Sequence, residues 1–244
     1  MRADDLGSAG RLYVFGGGFE AGDRTSRTPW FQHLTSQGVT VFALDYRLST
    51  PAEPSYDKAA ADVKCAVGWV HEHAADHGID TNRVAISGGS AGGNLALLAA
   101  YSSEALAPSC AAEDTSVRAV VDFYGPPDLA EACADTPSTP VRGSLRRYLG
   151  GTPQTQPERY RALSPVTYLD AQSPPTLIIQ GQHDTGVPPA VSTGLADRLA
   201  AAGVPHELLL LPATEHGVDG YFGGFANQIA QERISRFLQQ YVIA

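Results

Sequence analysis

The sequence predicts an α/β fold, a mostly parallel sheet flanked by helices on both faces. Three observations lead to it. Short apolar runs alternate with longer amphipathic segments, the pattern of strand–helix units that build a parallel sheet. Gly38, Gly78 and Gly203 stand just past three of the helical segments, where a chain turns left-handed to end a helix. The chain has 244 residues, 43% of them hydrophobic, which is enough for one such unit with a sizeable core. Residues 1–244 are therefore expected to form a single domain.

The elements follow in order. Residues 11–15 form a first apolar run, closed by Gly16-Gly17-Gly18, and residues 30–37 a helix. Residues 39–44 are a second strand, rich in β-branched and aromatic side chains, and 59–77 a long helix. Residues 83–87 carry Val84-Ala85-Ile86 and run into Gly88-Gly89-Ser90-Ala91-Gly92-Gly93, where a helix over 92–101 begins. Further strands are expected at 119–124, 176–180 and 207–211, giving about six in all, with helices at 190–202 and 225–241. Residues 125–170 break the rhythm: they are rich in Pro, Gly, Thr and Arg and hold no clear strand. They are expected to pass over the C-terminal edge of the sheet as a lid rather than to form a second domain.

Composition excludes several classes. A net charge of −9 disfavours nucleic acid and anionic membranes as partners. No apolar run is long enough to span a bilayer, and residues 1–10 lack the apolar core of a signal peptide, so a cytoplasmic location is expected. Cys65, Cys110 and Cys133 lack metal-ligand spacing, and their odd number favours three reduced thiols over a Cys110–Cys133 bridge. His71, His73 and His77 have helical spacing but neither the glutamate of a zinc motif nor a third ligand, so no metal is expected. The glycine run lacks the lysine and the spacing of nucleotide-binding loops, and no cofactor is implied.

Ser90, between small residues at a strand-to-helix junction, has the setting of a nucleophile elbow. A serine hydroxyl needs a base, an orienting acid and an oxyanion site to attack a carbonyl. Asp184 follows the fifth predicted strand and His216 the sixth, so both fall on the same edge of a parallel sheet as Ser90. His183 is a rival base, but it adjoins the acid and cannot face it across a triad. The Gly16-Gly17-Gly18 run ends the first strand, where the N–H groups of Gly17 and Gly18, with that of Ala91, suit an oxyanion hole.

These segments resemble, in the same order, the α/β-hydrolases of the hormone-sensitive-lipase-like group. They are most similar to small bacterial feruloyl/acetyl-xylan esterase (BD-FAE)-type carboxylesterases. The likeness rests on Phe15-Gly16-Gly17-Gly18-Phe19-Glu20-Ala21-Gly22-Asp23, Asp45-Tyr46-Arg47-Leu48, residues 88–93, Phe123-Tyr124-Gly125-Pro126-Pro127-Asp128-Leu129, Tyr148-Leu149-Gly150-Gly151-Thr152-Pro153 and the loops around Asp184 and His216. It implies a Ser90/Asp184/His216 triad, Gly17, Gly18 and Ala91 as oxyanion donors, and Asp45 and Arg47 as braces of the oxyanion loop. Phe15 stands where the family usually has histidine, which predicts a looser or repurposed loop. Few residues precede the glycine run, which predicts a sheet truncated at its N-terminal side, without an antiparallel opening hairpin.

The expected substrate is a small-molecule ester, with Phe19, Tyr124 and Val187 as candidate substrate contacts. Trp30, Tyr46, Tyr221 and Phe222 are as readily core residues as pocket residues. Two alternatives keep the scaffold: a biosynthetic tailoring enzyme (lactonase, thioesterase, acyltransferase or cyclase), or a ligand-binding protein without catalysis. The last strand is an exposed edge and the expected seam of a homodimer.

Overall fold

The computed structural model describes residues 9–102 and 105–243. Its six strands are β1 (Gly10–Val14), β2 (Thr40–Leu44), β3 (Val84–Gly89), β4 (Ala119–Phe123), β5 (Thr176–Gly181) and β6 (His206–Leu211). They form one parallel sheet in the order β2-β1-β3-β4-β5-β6. Each expected strand lies within two residues of its predicted bounds, because β-branched runs between turn residues leave little freedom. Eight α-helices join them: α1 (Thr28–Ser36), α2 (Ala59–Glu72), α3 (Ala91–Tyr101), α4 (Leu129–Asp135), α5 (Thr139–Leu149), α6 (Pro157–Ala162), α7 (Pro189–Ala202) and α8 (Phe225–Leu238).

The alternation of strand side chains divides the core in two. Leu12, Val14, Val84, Ile86, Val120 and Ile178 face one side and pack against α2, α3 and α7 through Val63, Val67, Leu95, Leu98, Leu195 and Leu199. Ala85, Val121, Phe123, Leu177 and Ile179 face the other, against Trp30 of α1 and Ile234 and Phe237 of α8. Each side chain of this kind that is fully buried stabilises the fold by about 1.5–3 kcal/mol. The sheet is thus packed on both faces, and its C-terminal edge carries the loops that build the site.

Two elements differ from expectation. The helix expected over 59–77 ends at Glu72, followed by a 3-10 turn at Ala75–His77 that closes on left-handed Gly78. Residues 125–170 do hold no strand, but they fold into α4, α5 and α6. Their start signals are local: the Asp128 side chain accepts from the N–H groups of Ala130 and Glu131, and Ser138 from that of Val141. Gly150, at φ 71°, ends α5. The prolines of α5 and α6 stand in their first turns, and Thr136 and Gly150 end α4 and α5, which composition alone does not distinguish from loop.

The cysteine reading is corrected. Cys65 on α2 is bridged to Cys110, across 45 residues, and the buried Cys133 is the free thiol. The pairing is tertiary: α2 lies on α3, and the strand-ward loop after α3 returns over α2, where the Ser109 N–H donates to the Ala61 carbonyl at 2.9 Å. A count of cysteines carries none of this. One ring nitrogen each of His71 and His73 meets the carbonyl of Ser116 and of Trp69, both at 2.9 Å. Among the described residues no cluster could hold a metal ion, and no helix is long and apolar enough to cross a membrane.

Two outcomes follow. Denatured, unreduced protein is expected to release one titratable thiol, from Cys133; three would overturn the Cys65–Cys110 bridge. Asp122, at the end of β4, is fully buried; its Oδ1 accepts from Gly125 N–H at 2.9 Å and its Oδ2 has no partner among the described residues. Burial raises its pKa well above the usual carboxylate range, outweighing that hydrogen bond. A carboxyl with a raised folded pKa favours the fold below the unfolded value of about 4 and loses that contribution as pH rises. Asp122→Asn should therefore gain stability over the native protein in neutral solution, and that gain should shrink toward about pH 4, as read by urea denaturation at both.

Candidate active site

Ser90 sits between β3 and α3 at φ 54° and ψ −120°, a left-handed conformation that costs a non-glycine residue about 1–3 kcal/mol. Two glycines make it attainable. A Cβ on Gly88 would lie 2.2 Å from the Gly92 carbonyl oxygen, and one on Gly92 would lie 2.1 Å from the Val14 carbonyl oxygen. Only bare backbone lets α3 approach β1 and β3 this closely. The Ser90 N–H donates to the Phe123 carbonyl at 2.9 Å, and its own carbonyl accepts from Asn94 at 3.0 Å, so the turn is bonded on both sides.

The Ser90 hydroxyl lies 3.0 Å from His216 Nε2, and His216 Nδ1 lies 2.7 Å from Asp184 Oδ2. Asp184 is buried, and its Oδ1 accepts from the N–H groups of Gly186 and Val187, both at 2.8 Å. Its Oδ2 also accepts from Gln180 Nε2 at 3.1 Å, and Gln180 is itself held by Ser192 at 2.7 Å. A carboxylate only accepts, so the proton of His216 belongs on Nδ1 and Nε2 is free to accept from the serine. The rival His183 is exposed. The structure thus brings Ser90, Asp184 and His216 together in the predicted order.

Gly17 and Gly18 have φ of 123° and 63°, and the Gly17 carbonyl accepts from the N–H groups of Glu20 and Ala21, both at 3.1 Å. This curl leaves the N–H groups of Gly17 and Gly18 without an acceptor among the described residues. Ala91 opens α3, so its N–H has no partner within the helix. All three residues line one cavity with Ser90 and His216.

Phe15 does not leave this loop loose. Its ring stacks on Tyr46 at 4.5 Å between centroids, and the Tyr46 hydroxyl donates to the Phe15 carbonyl at 3.1 Å. Asp45 accepts from the Arg24 N–H at 2.8 Å, bracing the segment after the glycine run, whereas Arg47 turns away to Asp62 on α2. From the other side, Phe19 stacks on Tyr148 of α5 at 3.8 Å, and Glu20 accepts from Arg147 and Ser144 of the same helix. The hydrogen bond from Arg147 holds the Glu20 carboxyl below its usual range against the opposing effect of partial burial.

The cavity measures about 440 Å³. Phe19, Tyr124 and Val187, the candidate substrate contacts, all line it, with Pro140, Val141, Ser144 and Leu145 of α5 forming the opposite wall. Trp30 and Tyr46 are core residues, and Tyr221 and Phe222 are exposed. Tyr124 has a second engagement: its ring lies 4.5 Å from that of His216, and its hydroxyl donates to Asp219. Asp219, Arg27 and Ser144 carry no sequence signal; the fold alone brings Arg27 and Ser144 to the cavity wall and sets Asp219 behind Arg27.

Comparison with known proteins agrees with this geometry. The BD-FAE family model matches residues 11–199. The probable carboxylic ester hydrolase LipM of Mycobacterium tuberculosis is 32% identical over 88% of this chain and 51% of its own length. The esterase LipQ of the same organism is 30% identical over 89% of this chain and 51% of its own length. The chain therefore spans about half the length of these curated relatives. Among solved structures, esterase 2 of Thermogutta terrifontis phosphonylated by sarin superposes with a TM-score of 0.83 at 27% identity, over 98% of this chain and 86% of that one. The propionate-bound form of Est2 from the same organism gives 0.81 at 26% identity, over 96% and 83%. The fold is that of the α/β-hydrolases.

The glycine contacts set a stability contrast. Gly92→Ala is expected to cost more than about 3 kcal/mol, since both clashing partners are backbone. Gly194 in α7 has open space around it, and Gly194→Ala should add roughly 0.5–1 kcal/mol. Chemical denaturation of both variants checks the pair.

Proposed function

The chain belongs to the BD-FAE family, and on that premise we propose that it hydrolyses carboxylic esters through an acyl-enzyme on Ser90. The observation that carries this reading is the unbroken path from Asp184 through His216 to the Ser90 hydroxyl, beside three N–H groups without an acceptor among the described residues. His216 Nε2 takes the hydroxyl proton as Ser90 Oγ bonds to the ester carbonyl carbon. The carbonyl oxygen becomes an oxyanion facing the N–H groups of Gly17, Gly18 and Ala91, each worth on the order of 100-fold or more in rate. Asp184 stabilises the imidazolium, which then protonates the departing alcohol. Water, deprotonated by His216, releases the acid and restores Ser90. No step calls on a metal or cofactor.

In this reading residues 1–244 act as one domain, with α4 to α6 as its lid and Phe19, Tyr124 and Val187 against the substrate. An intact serine, acid and histidine disfavour a binding protein without catalysis. A homodimer would form along β6, an edge strand on which Leu210 is exposed. The cytoplasmic location loses the support of three thiols, because a lasting Cys65–Cys110 bridge suits an oxidising compartment.

Ser90→Ala is expected to lower the hydrolysis of short 4-nitrophenyl esters by roughly 10³-fold or more. A fluorophosphonate probe should add to the native protein at Ser90 and not to the variant. Full activity in the variant would refute the proposal.

A further inference from the structure

Arg27 lies just before α1 and lines the cavity. Among the described lining residues it is the one with a permanent charge, and no carboxylate lines the cavity with it. The cavity is otherwise lined largely by apolar side chains, among them Phe19, Pro126, Val141, Leu145 and Val187. An arginine against such a wall is costly unless something holds it and something uses it.

What holds it lies behind. Asp219 Oδ2 accepts from Arg27 Nε at 2.8 Å and Oδ1 from Nη2 at 3.5 Å, while the Ser26 carbonyl accepts from Nη1 at 3.0 Å. The Asp219 side chain is 1% exposed and that of Arg27 24%, so the carboxylate is the support and the guanidinium the face. Asp219 also accepts from the hydroxyls of Tyr13 at 2.5 Å and of Tyr124, which fix the carboxylate behind Arg27. Burial would lower the Arg27 pKa, but Asp219 and Tyr13 outweigh it and raise it, keeping the cation charged. A guanidinium offers five N–H donors. Three go to Asp219 and Ser26 and a fourth can reach the Tyr13 oxygen, which leaves at least one for a ligand. The pair also stands close to the nucleophile, since a Cβ on Gly89 would lie 2.8 Å from Asp219 Oδ2.

We propose that Arg27 is a specificity-determining residue that selects esters carrying a carboxylate, on the acyl chain or on the leaving alcohol. The inference rests on the esterase reading of Ser90. Elsewhere the chain repels anions, with a net charge of −9, so a preference for an anionic ester has to come from the site itself.

The test compares 4-nitrophenyl hydrogen adipate with 4-nitrophenyl hexanoate, which match in chain length and differ in the terminal carboxylate. A second pair, 4-carboxyphenyl and phenyl hexanoate, places the carboxylate on the alcohol. In at least one pair the native protein is expected to favour the anionic ester in kcat/KM by roughly tenfold or more, mainly through KM. Arg27→Gln should erase that ratio and Arg27→Lys should restore part of it. A native ratio at or below one in both pairs, or a ratio unchanged in Arg27→Gln, overturns the proposal; if the glutamine variant does not fold, the native ratios and the lysine variant still decide. Calorimetric titration of Ser90→Ala with monomethyl adipate and methyl hexanoate, and with 4-carboxyphenyl and phenyl hexanoate, reads the same preferences without turnover. Binding selectivity without hydrolysis by the native protein would sink the esterase reading and keep the anion site. Hydrolysis without selectivity would do the reverse.

Discussion

The contact on which the site depends is backbone against backbone, where α3 meets the ends of β1 and β3. The carbonyl oxygens of Val14 and Phe15 occupy the space a side chain at Gly92 would need, and the Gly92 carbonyl fills the space at Gly88. This closeness forces Ser90 into its left-handed turn, because the chain must reverse from strand to helix within one residue. It also sets the start of α3 beside the loop that leaves β1, so the Ala91 N–H and those of Gly17 and Gly18 border one cavity. Reactivity and fold are thus the same packing problem.

The remaining loops reach the site by separate anchors. Gln180, at the end of β5, fixes the Asp184 loop from below through Asp184 Oδ2 and the Val187 carbonyl. The His216 loop is fixed by Asp219, whose side chain gathers donors from β1, from the segment before α1 and from the residue after β4. Its carbonyl takes the Trp30 indole N–H at 2.9 Å. Burying a carboxylate is costly, and several charge-assisted or phenolic hydrogen bonds offset that cost while leaving one geometry. Three residues distant in sequence meet with hydrogen-bond accuracy because each loop is pinned within a few residues of its functional side chain.

Much of this was legible in the sequence, for reasons that can be named. Strands show as β-branched runs, and a parallel sheet sends their C-terminal loops to one edge, so Ser90, Asp184 and His216 could be matched before any contact was known. The glycines near Ser90 and after β1 were legible because their spacing reports a steric need. The helices within residues 125–170 were not legible because Asp128, Ser138 and Gly150 are local cap signals embedded among prolines and threonines. Cys65–Cys110, Glu20–Arg147 and Arg27–Asp219 were illegible for a different reason. Each pairs residues from elements whose adjacency exists only once the helices have packed.

The clamp of α5 on the loop after β1 has a further consequence. Phe19 and Glu20 belong to the segment that carries the N–H groups of Gly17 and Gly18, and Tyr148, Ser144 and Arg147 belong to the helix that shapes the cavity wall. One contact therefore ties together two parts of the site, the backbone N–H groups beside Ser90 and the wall that sets the shape of the cavity. A substitution that widens the cavity at Ser144, Arg147 or Tyr148 also removes a contact that holds the loop beside Ser90. The wall and the loop are, mechanically, one part.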